Sequence, residues 1–99
     1  MRLSPSQQQS IRETAEQVFG PAVRVRVFGS RIDDSVKGGD LDLMVELPSA
    51  VEHPAGLAAT LSAKVSRTMN GRNVDVIVSA PGLRRLPIHD IAFRDGVLL

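Results

Sequence analysis

The chain has 99 residues, of which 42% are hydrophobic and none is cysteine, and its formal net charge is +1 at pH 7. This length predicts a single domain over residues 1–99, of modest stability because short chains bury a smaller share of their surface. The net charge is too small for a protein that binds a long nucleic acid by its phosphates. No apolar run approaches the ~18 residues of a membrane span. The lack of cysteine excludes disulfides and thiolate metal sites.

The first predicted element is a helix that begins after Ser4. Ser4, Pro5 and Gln7 form a capping-box pattern, with proline at the first helical position and glutamine three residues after the cap. The pair Gly20-Pro21 predicts the end of this helix. Because the first residues lead directly into polar glutamines without a secretory signal, we expect a cytoplasmic protein.

Three strands and a second long helix are predicted downstream. Alternating apolar residues predict strands at about residues 22–28, 40–47 and 73–79. Between the second and third strands, an apolar residue at every fourth position predicts an amphipathic helix from Leu57 to about Asn70-Gly71.

The C-terminal residues predict a short helix over about 87–94 and a small edge strand over 97–99. Two histidines, His53 and His89, fall in a loop and in this short helix. Neither has a second histidine at the spacing of zinc ligands, so we interpret both as surface residues and expect no zinc site.

The three predicted strands share one strongly aliphatic face, which we expect the two long helices to cover. This pattern favours an α+β fold with a small mixed sheet of three main strands, helices on one face and an open active-site face. The aliphatic row consists of Val23, Val25, Val27, Leu41, Leu43, Val45, Val74, Val76 and Val78. By strand parity the opposite, open face carries Arg24, Arg26, Asp40, Asp42, Glu46 and Asp75.

Three aspartates on the open face predict a metal site. Asp40 and Asp42 project on the same side of one strand, about 7 Å apart, and Asp75 has the same parity in another strand. If the two strands are neighbours, the three carboxylates converge, and their repulsion favours a bound cation. Mg²⁺ prefers oxygen ligands, and two ions roughly 3.5–4 Å apart would clamp the reacting oxygens of an in-line phosphoryl displacement.

Gly29 and Ser30 follow the first strand and predict a phosphate-binding turn. Glycine lets the backbone approach a phosphate, while backbone N–H groups and the Ser30 hydroxyl can donate hydrogen bonds to its oxygens. Arg31 is placed to contact a triphosphate. Two roles stay open for Arg24 and Arg26, namely cross-strand ion pairs on a solvated face or contacts with phosphate or an acceptor.

The stretch from Val27 to Glu46, which contains Gly29-Ser30 and the pair Asp40 and Asp42, resembles the signature of the DNA polymerase beta-like nucleotidyltransferases. It is most similar to the minimal nucleotidyltransferase (MNT) family, and the resemblance covers most of the chain. The resemblance implies that the Gly-Ser turn binds the phosphates of a nucleoside triphosphate, that the aspartate pair binds two Mg²⁺ ions, and that Asp75 completes the site. It also implies a separate helical HEPN-type partner, with this chain as the antitoxin that adenylylates it.

The favoured hypothesis is Mg²⁺-dependent transfer of a nucleoside monophosphate, AMP from ATP, to a hydroxyl acceptor. Its predicted catalytic and metal-binding residues are Asp40, Asp42 and Asp75, and its predicted nucleotide contacts are Gly29, Ser30 and Arg31. Two alternatives stay open. One is an antitoxin of the same fold that binds without turnover, and the other is a nucleotidyltransferase that acts on an aminoglycoside-like small molecule.

Overall fold

A computed structural model describes residues 3–29 and 40–99 of the chain. Within these residues it holds three α-helices and four β-strands, in the order α1 (Pro5–Phe19), β1 (Arg24–Phe28), β2 (Leu41–Glu46), α2 (Pro54–Thr68), β3 (Val74–Ser79), α3 (Pro87–Asp95) and β4 (Val97–Leu98). No helix in this described part is both long and apolar enough to span a membrane.

The predicted capping box of α1 is confirmed. The Gln7 N–H donates to Ser4 Oγ over 3.1 Å, and the Ser4 N–H donates to Gln7 Oε1 over 2.8 Å. These bonds satisfy two backbone groups at the start of the helix that lack helical partners. The second helix begins at Pro54, earlier than the predicted Leu57, because proline is well suited to the first helical position.

The four strands form one mixed sheet in the order β3-β2-β1-β4. β2 and β3 are parallel and are connected through α2, whereas β1 runs antiparallel to both β2 and β4. The prediction of three main strands is therefore wrong in its count, since β4 hydrogen-bonds to β1 as a fourth strand. This fourth strand, β4, is the small C-terminal edge strand that the sequence predicts over residues 97–99.

The aliphatic face of the sheet is covered by α1 and α2, as predicted. Ile11 and Ala15 of α1 and Leu61 and Val65 of α2 are buried in one cluster with the inward-facing residues of the strands. The strand residues in that cluster are Val25, Val27, Leu41, Leu43, Val45 and Val74. Burial of a side chain of this size stabilises the fold by about 1.5–3 kcal/mol, so this layer sets the side on which each strand residue lies.

The opposite face is not fully open, which corrects the expectation that helices lie on one face only. Ala92 of α3 packs with Phe28 and Met44 in a second buried cluster, and Phe93 and Ile77 pack around it. Met44 is fully buried. Phe28, Met44 and Ile77 have the same parity as the charged residues of this face. Three large apolar side chains on one face favour a covering element, and α3 provides it.

His89 joins α3 to the edge strand β3, so the interpretation of this residue as a surface residue is wrong. Its side chain is buried. The Leu86 N–H donates to His89 Nδ1 over 2.9 Å, and Nε2 lies 2.9 Å from the Val78 carbonyl oxygen, to which it donates. One ring nitrogen accepts and the other donates, which is the hydrogen-bonding pattern of a neutral imidazole.

The chain returns along β1 directly after α3. Gly96 permits this turn, because a Cβ at that position would lie 3.1 Å from the Val27 carbonyl oxygen and still closer to the Ala92 carbonyl. Val97 then pairs opposite Val27, and Leu98 opposite Arg26.

Candidate functional site

Asp42 and Asp75 are direct neighbours in the sheet. They are register partners in the parallel pair β2 and β3. Leu41 and Leu43, on either side of Asp42, are fully buried in the core on the other face. Because successive strand residues point to opposite faces, this burial directs both aspartates to the face that α3 covers only in part. The condition on which the sequence analysis depended, that the two strands are neighbours, is therefore met.

Asp40 lies at the same end of the sheet, just before β2, and is exposed. The Leu41 N–H donates to the Asn73 carbonyl oxygen over 3.0 Å, which ties the start of β2 to the residues that precede β3. The three aspartates therefore occupy the beginnings of two adjacent parallel strands.

The environment of Asp42 disfavours its charged form. Its pKa is raised above the ordinary value of 3.8, first by burial and then by the negative charges of Asp75 and Asp40. On the β1 side of Asp42, its register partner Phe28 is buried and gives it an apolar neighbour. A bound cation would relieve both the desolvation and the repulsion.

The chemistry of these carboxylates fits Mg²⁺, which takes oxygen ligands and keeps several waters. Asp40 and Asp75 are near enough to Asp42 to raise its pKa. Within residues 3–29 and 40–99, however, no three acidic, histidine or cysteine side chains are gathered as the ligands of one ion. Binding of Mg²⁺ by Asp40, Asp42 and Asp75 together stays a prediction.

Gly29 places main chain against the Asp42 carboxyl group. A Cβ on Gly29 would meet Asp42 Oδ2 and would lie 3.3 Å from Asp42 Cγ. The φ angle of Gly29 is 77°, in the region that favours glycine. Two constraints thus favour glycine here, the positive φ angle and the lack of room for a Cβ beside Asp42. Ser30 and Arg31 lie outside the described residues, so their predicted nucleotide contacts stay predictions.

Arg26 has a structural role beside the site. Its Nε lies 3.2 Å from Glu46 Oε2, and its guanidinium carbon lies 5.3 Å from the centre of the Phe93 ring. The ion-pair alternative is therefore confirmed for Arg26. Arg24 is exposed, and its register partner Glu46 is the carboxylate that Arg26 engages.

Sequence reasoning missed the apolar surroundings of the carboxylates. Phe28 and Met44 lie on the same face as Asp42, and α3 brings Phe93 to that face. The signal in the sequence was strand parity, because Phe28, Met44 and Ile77 alternate with core residues just as the aspartates do. The contribution of α3 has no comparable local signal.

No protein-family model matches this chain, and no curated protein does either. A chain from the solved structure of the tri-AMPylated Shewanella oneidensis HEPN toxin in complex with MNT antitoxin is similar in fold. The TM-score is 0.56 at 15% sequence identity, and the similarity covers 92% of this chain and 70% of that chain. At this identity the similarity shows a shared fold.

Proposed function

We propose that this protein is a Mg²⁺-dependent nucleotidyltransferase that moves AMP from ATP to a hydroxyl group of a HEPN-type protein. The observation that carries the proposal is the pairing of Asp42 with Asp75 on adjacent parallel strands, with the Gly29 backbone against the Asp42 carboxyl group. Carboxylates on adjacent strands beside a close-approaching main chain are typical of a site for a metal-bound phosphate chain.

In the proposed reaction, the acceptor oxygen forms a bond to the α-phosphorus of ATP. The bond from that phosphorus to the bridging oxygen of the β-phosphate breaks, and pyrophosphate leaves. Asp40, Asp42 and Asp75 would hold two Mg²⁺ ions. When bound, these ions would neutralise the charge of the triphosphate. Asp75 would also take the proton from the acceptor hydroxyl. Gly29 would leave room for the phosphates, and Ser30 and Arg31 would contact them.

A HEPN-type partner is supported by the fold similarity. The solved neighbour is a complex of a HEPN toxin with an MNT antitoxin, and the toxin in that complex is tri-AMPylated. Those properties belong to that pair of proteins. Together with the resemblance of the Val27 to Glu46 stretch to the MNT family, they favour a protein acceptor for this chain.

Label transfer tests the proposal. The purified chain is incubated with MgCl₂, ATP labelled at the α-phosphate and a HEPN-type protein from the same genome. We expect label on the HEPN-type protein, and none when the label is at the γ-phosphate. Asp42→Asn and Asp75→Asn should each lower the rate on the order of 100-fold or more, because each removes a charge that holds the metal.

The matched control is Glu52→Gln, which removes an exposed carboxylate in the loop before α2 and should leave transfer unchanged. Undiminished transfer by Asp42→Asn would contradict the proposed site. Neutralisation of the HEPN-type protein without any label transfer would favour the antitoxin that binds without turnover.

A further inference from the structure

The third helix, α3, crosses the sheet from one strand to another. Near its start, His89 is hydrogen-bonded to the Val78 carbonyl oxygen of β3. Directly after its end, a Cβ on Gly96 would lie 3.1 Å from the Val27 carbonyl oxygen of β1. Between these two points Ala92 is buried against the sheet. Because the helix passes from β3 over β2 to β1, its two flanks face opposite ends of the strands.

The side chains next to Ala92 show which flank faces which end. Successive residues of an α-helix are about 100° apart around its axis, so Phe93 and Ile91 lie on opposite flanks when Ala92 points at the sheet. The Phe93 ring lies 5.3 Å from the guanidinium carbon of Arg26, which pairs with Glu46 at the end of β2. Ile91 therefore lies on the other flank, toward the beginnings of β2 and β3, where the candidate site is.

This site-facing flank is aliphatic and exposed. Ile88 lies on it one turn before Ile91, and the two side chains are 40% and 41% exposed. The next position along the flank is Asp95, whose carboxylate is bound by Arg94 at 3.0 Å. α3 packs on β2 two residues beyond Asp42, which is about 7 Å along the strand. The two isoleucines therefore border the carboxylate site.

We propose that Ile88 and Ile91 bind the nucleobase of the triphosphate, an inference that rests on the proposed transferase function. The base is the largest apolar surface of a nucleoside triphosphate, and its burial against aliphatic carbon is favourable. Two side chains of this exposure match a single ring system in size. A protein partner requires a contact of roughly 800 Å² on each side. The flank therefore fits the base better than it fits the protein acceptor.

The chemistry of this flank gives affinity without selection among bases. Isoleucine has no hydrogen-bonding group in its side chain, so Ile88 and Ile91 can contact only the faces of a ring. Adenine and guanine have similar faces and differ in their hydrogen-bonding edges. Loss of the isoleucines should therefore weaken the binding of ATP and GTP by the same factor.

Isothermal titration of the full chain in MgCl₂ with ATP, GTP and ribose 5′-triphosphate, which lacks the base, tests the proposal. Ile91→Ser should weaken the binding of ATP and GTP about fivefold, and Ile91→Ser combined with Ile88→Ser should weaken it about tenfold or more. Ribose 5′-triphosphate should bind these variants as it binds wild type. The control is Leu86→Ser, at a residue that is 43% exposed and adjoins Arg85, which covers the Phe93 ring on the other flank. It should leave all three affinities unchanged.

The outcomes separate this proposal from the proposed function. Wild-type ATP affinity in the double variant, or an equal loss for ribose 5′-triphosphate, would overturn the base contact and leave the transferase standing. A loss for ATP alone would show that an edge of the base is read, which contradicts a contact with its faces. Unchanged ATP affinity with a higher KM for the HEPN-type protein would reassign the isoleucines to the acceptor. Absence of ATP binding by the wild-type chain would contradict both proposals.

Discussion

At the scale of single residues, Asp42 lies between an apolar and an acidic neighbour in the sheet, Phe28 on β1 and Asp75 on β3. Burial, followed by repulsion from Asp75 and Asp40, raises its pKa. A carboxyl group whose pKa is higher in the folded state stabilises the fold below its unfolded pKa. That contribution is lost as the pH rises through the folded pKa. At neutral pH, the charged Asp42 therefore destabilises the metal-free protein.

Asp42→Asn should consequently raise the unfolding temperature of the metal-free protein at pH 7. The gain over wild type should shrink toward pH 4, where more of the wild-type Asp42 is protonated in both states. Thermal unfolding in EDTA between pH 4 and pH 7 measures this difference. Glu52→Gln, at an exposed position, should show no such pH-dependent gain. A lower unfolding temperature for Asp42→Asn at pH 7 would contradict the electrostatic account of this site.

Gly29 and Gly71 offer a matched pair of substitutions, because both have a φ angle of 77°. Gly71 has open space where a Cβ would lie, whereas a Cβ on Gly29 would meet the Asp42 carboxyl group. Gly71→Ala should lower the free energy of unfolding by about 1–2 kcal/mol from backbone strain alone. Gly29→Ala should lower it further because of the clash.

Urea unfolding of the two alanine variants measures this difference directly. Equal losses of stability would argue against close packing of the Gly29 backbone on Asp42. In Asp42→Ala the clashing atoms are gone, so the additional cost of Gly29→Ala should disappear there.

At the scale of elements, the hydrogen bonds of His89 connect α3 to β3. It accepts the Leu86 N–H at the start of the helix and donates to the Val78 carbonyl oxygen of β3. α3 in turn buries Met44 and Phe28 beside the carboxylates. One buried imidazole thus supports the wall of the candidate site.

His89→Ala should lower the free energy of unfolding by about 1–3 kcal/mol, because two hydrogen-bonding groups of the main chain lose their partner. Amide hydrogen exchange should become faster in α3 and less so in α1. His53→Asn serves as the control, since His53 is exposed at a φ angle of 55°, which asparagine tolerates. Unchanged exchange in α3 would show that His89 does not hold this helix.

Local patterns predicted much of the fold and part of the site. The capping box located α1, and strand parity placed Asp42 and Asp75 on one face because Leu41, Leu43 and the Val74 row must be buried. The position of α3 could not be predicted from such patterns, because it depends on contacts between residues distant in sequence, such as Met44 with Ala92. The burial of His89 follows from the same long-range packing.

At the scale of the whole molecule, the sheet lies between two unequal layers. α1 and α2 cover most of one face, on which Val23, Val76 and Val78 stay partly buried, whereas α3 packs on Phe28 and Met44 of the other face. Asp40 and Asp75 stay exposed at the end of the sheet where Gly29 also lies. The uncovered end is the entrance that the proposed nucleotide and acceptor would share.

The central claim is that Asp42 and Asp75 act together on one Mg²⁺-nucleotide complex, and a double-mutant cycle of ATP binding tests it most directly. Isothermal titration of the chain with ATP in MgCl₂ gives a dissociation constant for wild type, Asp42→Asn, Asp75→Asn and the double variant. We predict that each single change weakens binding about tenfold or more, and that the second change adds much less than it costs alone. Wild-type affinity in both single variants, or strictly additive losses, would contradict a shared site.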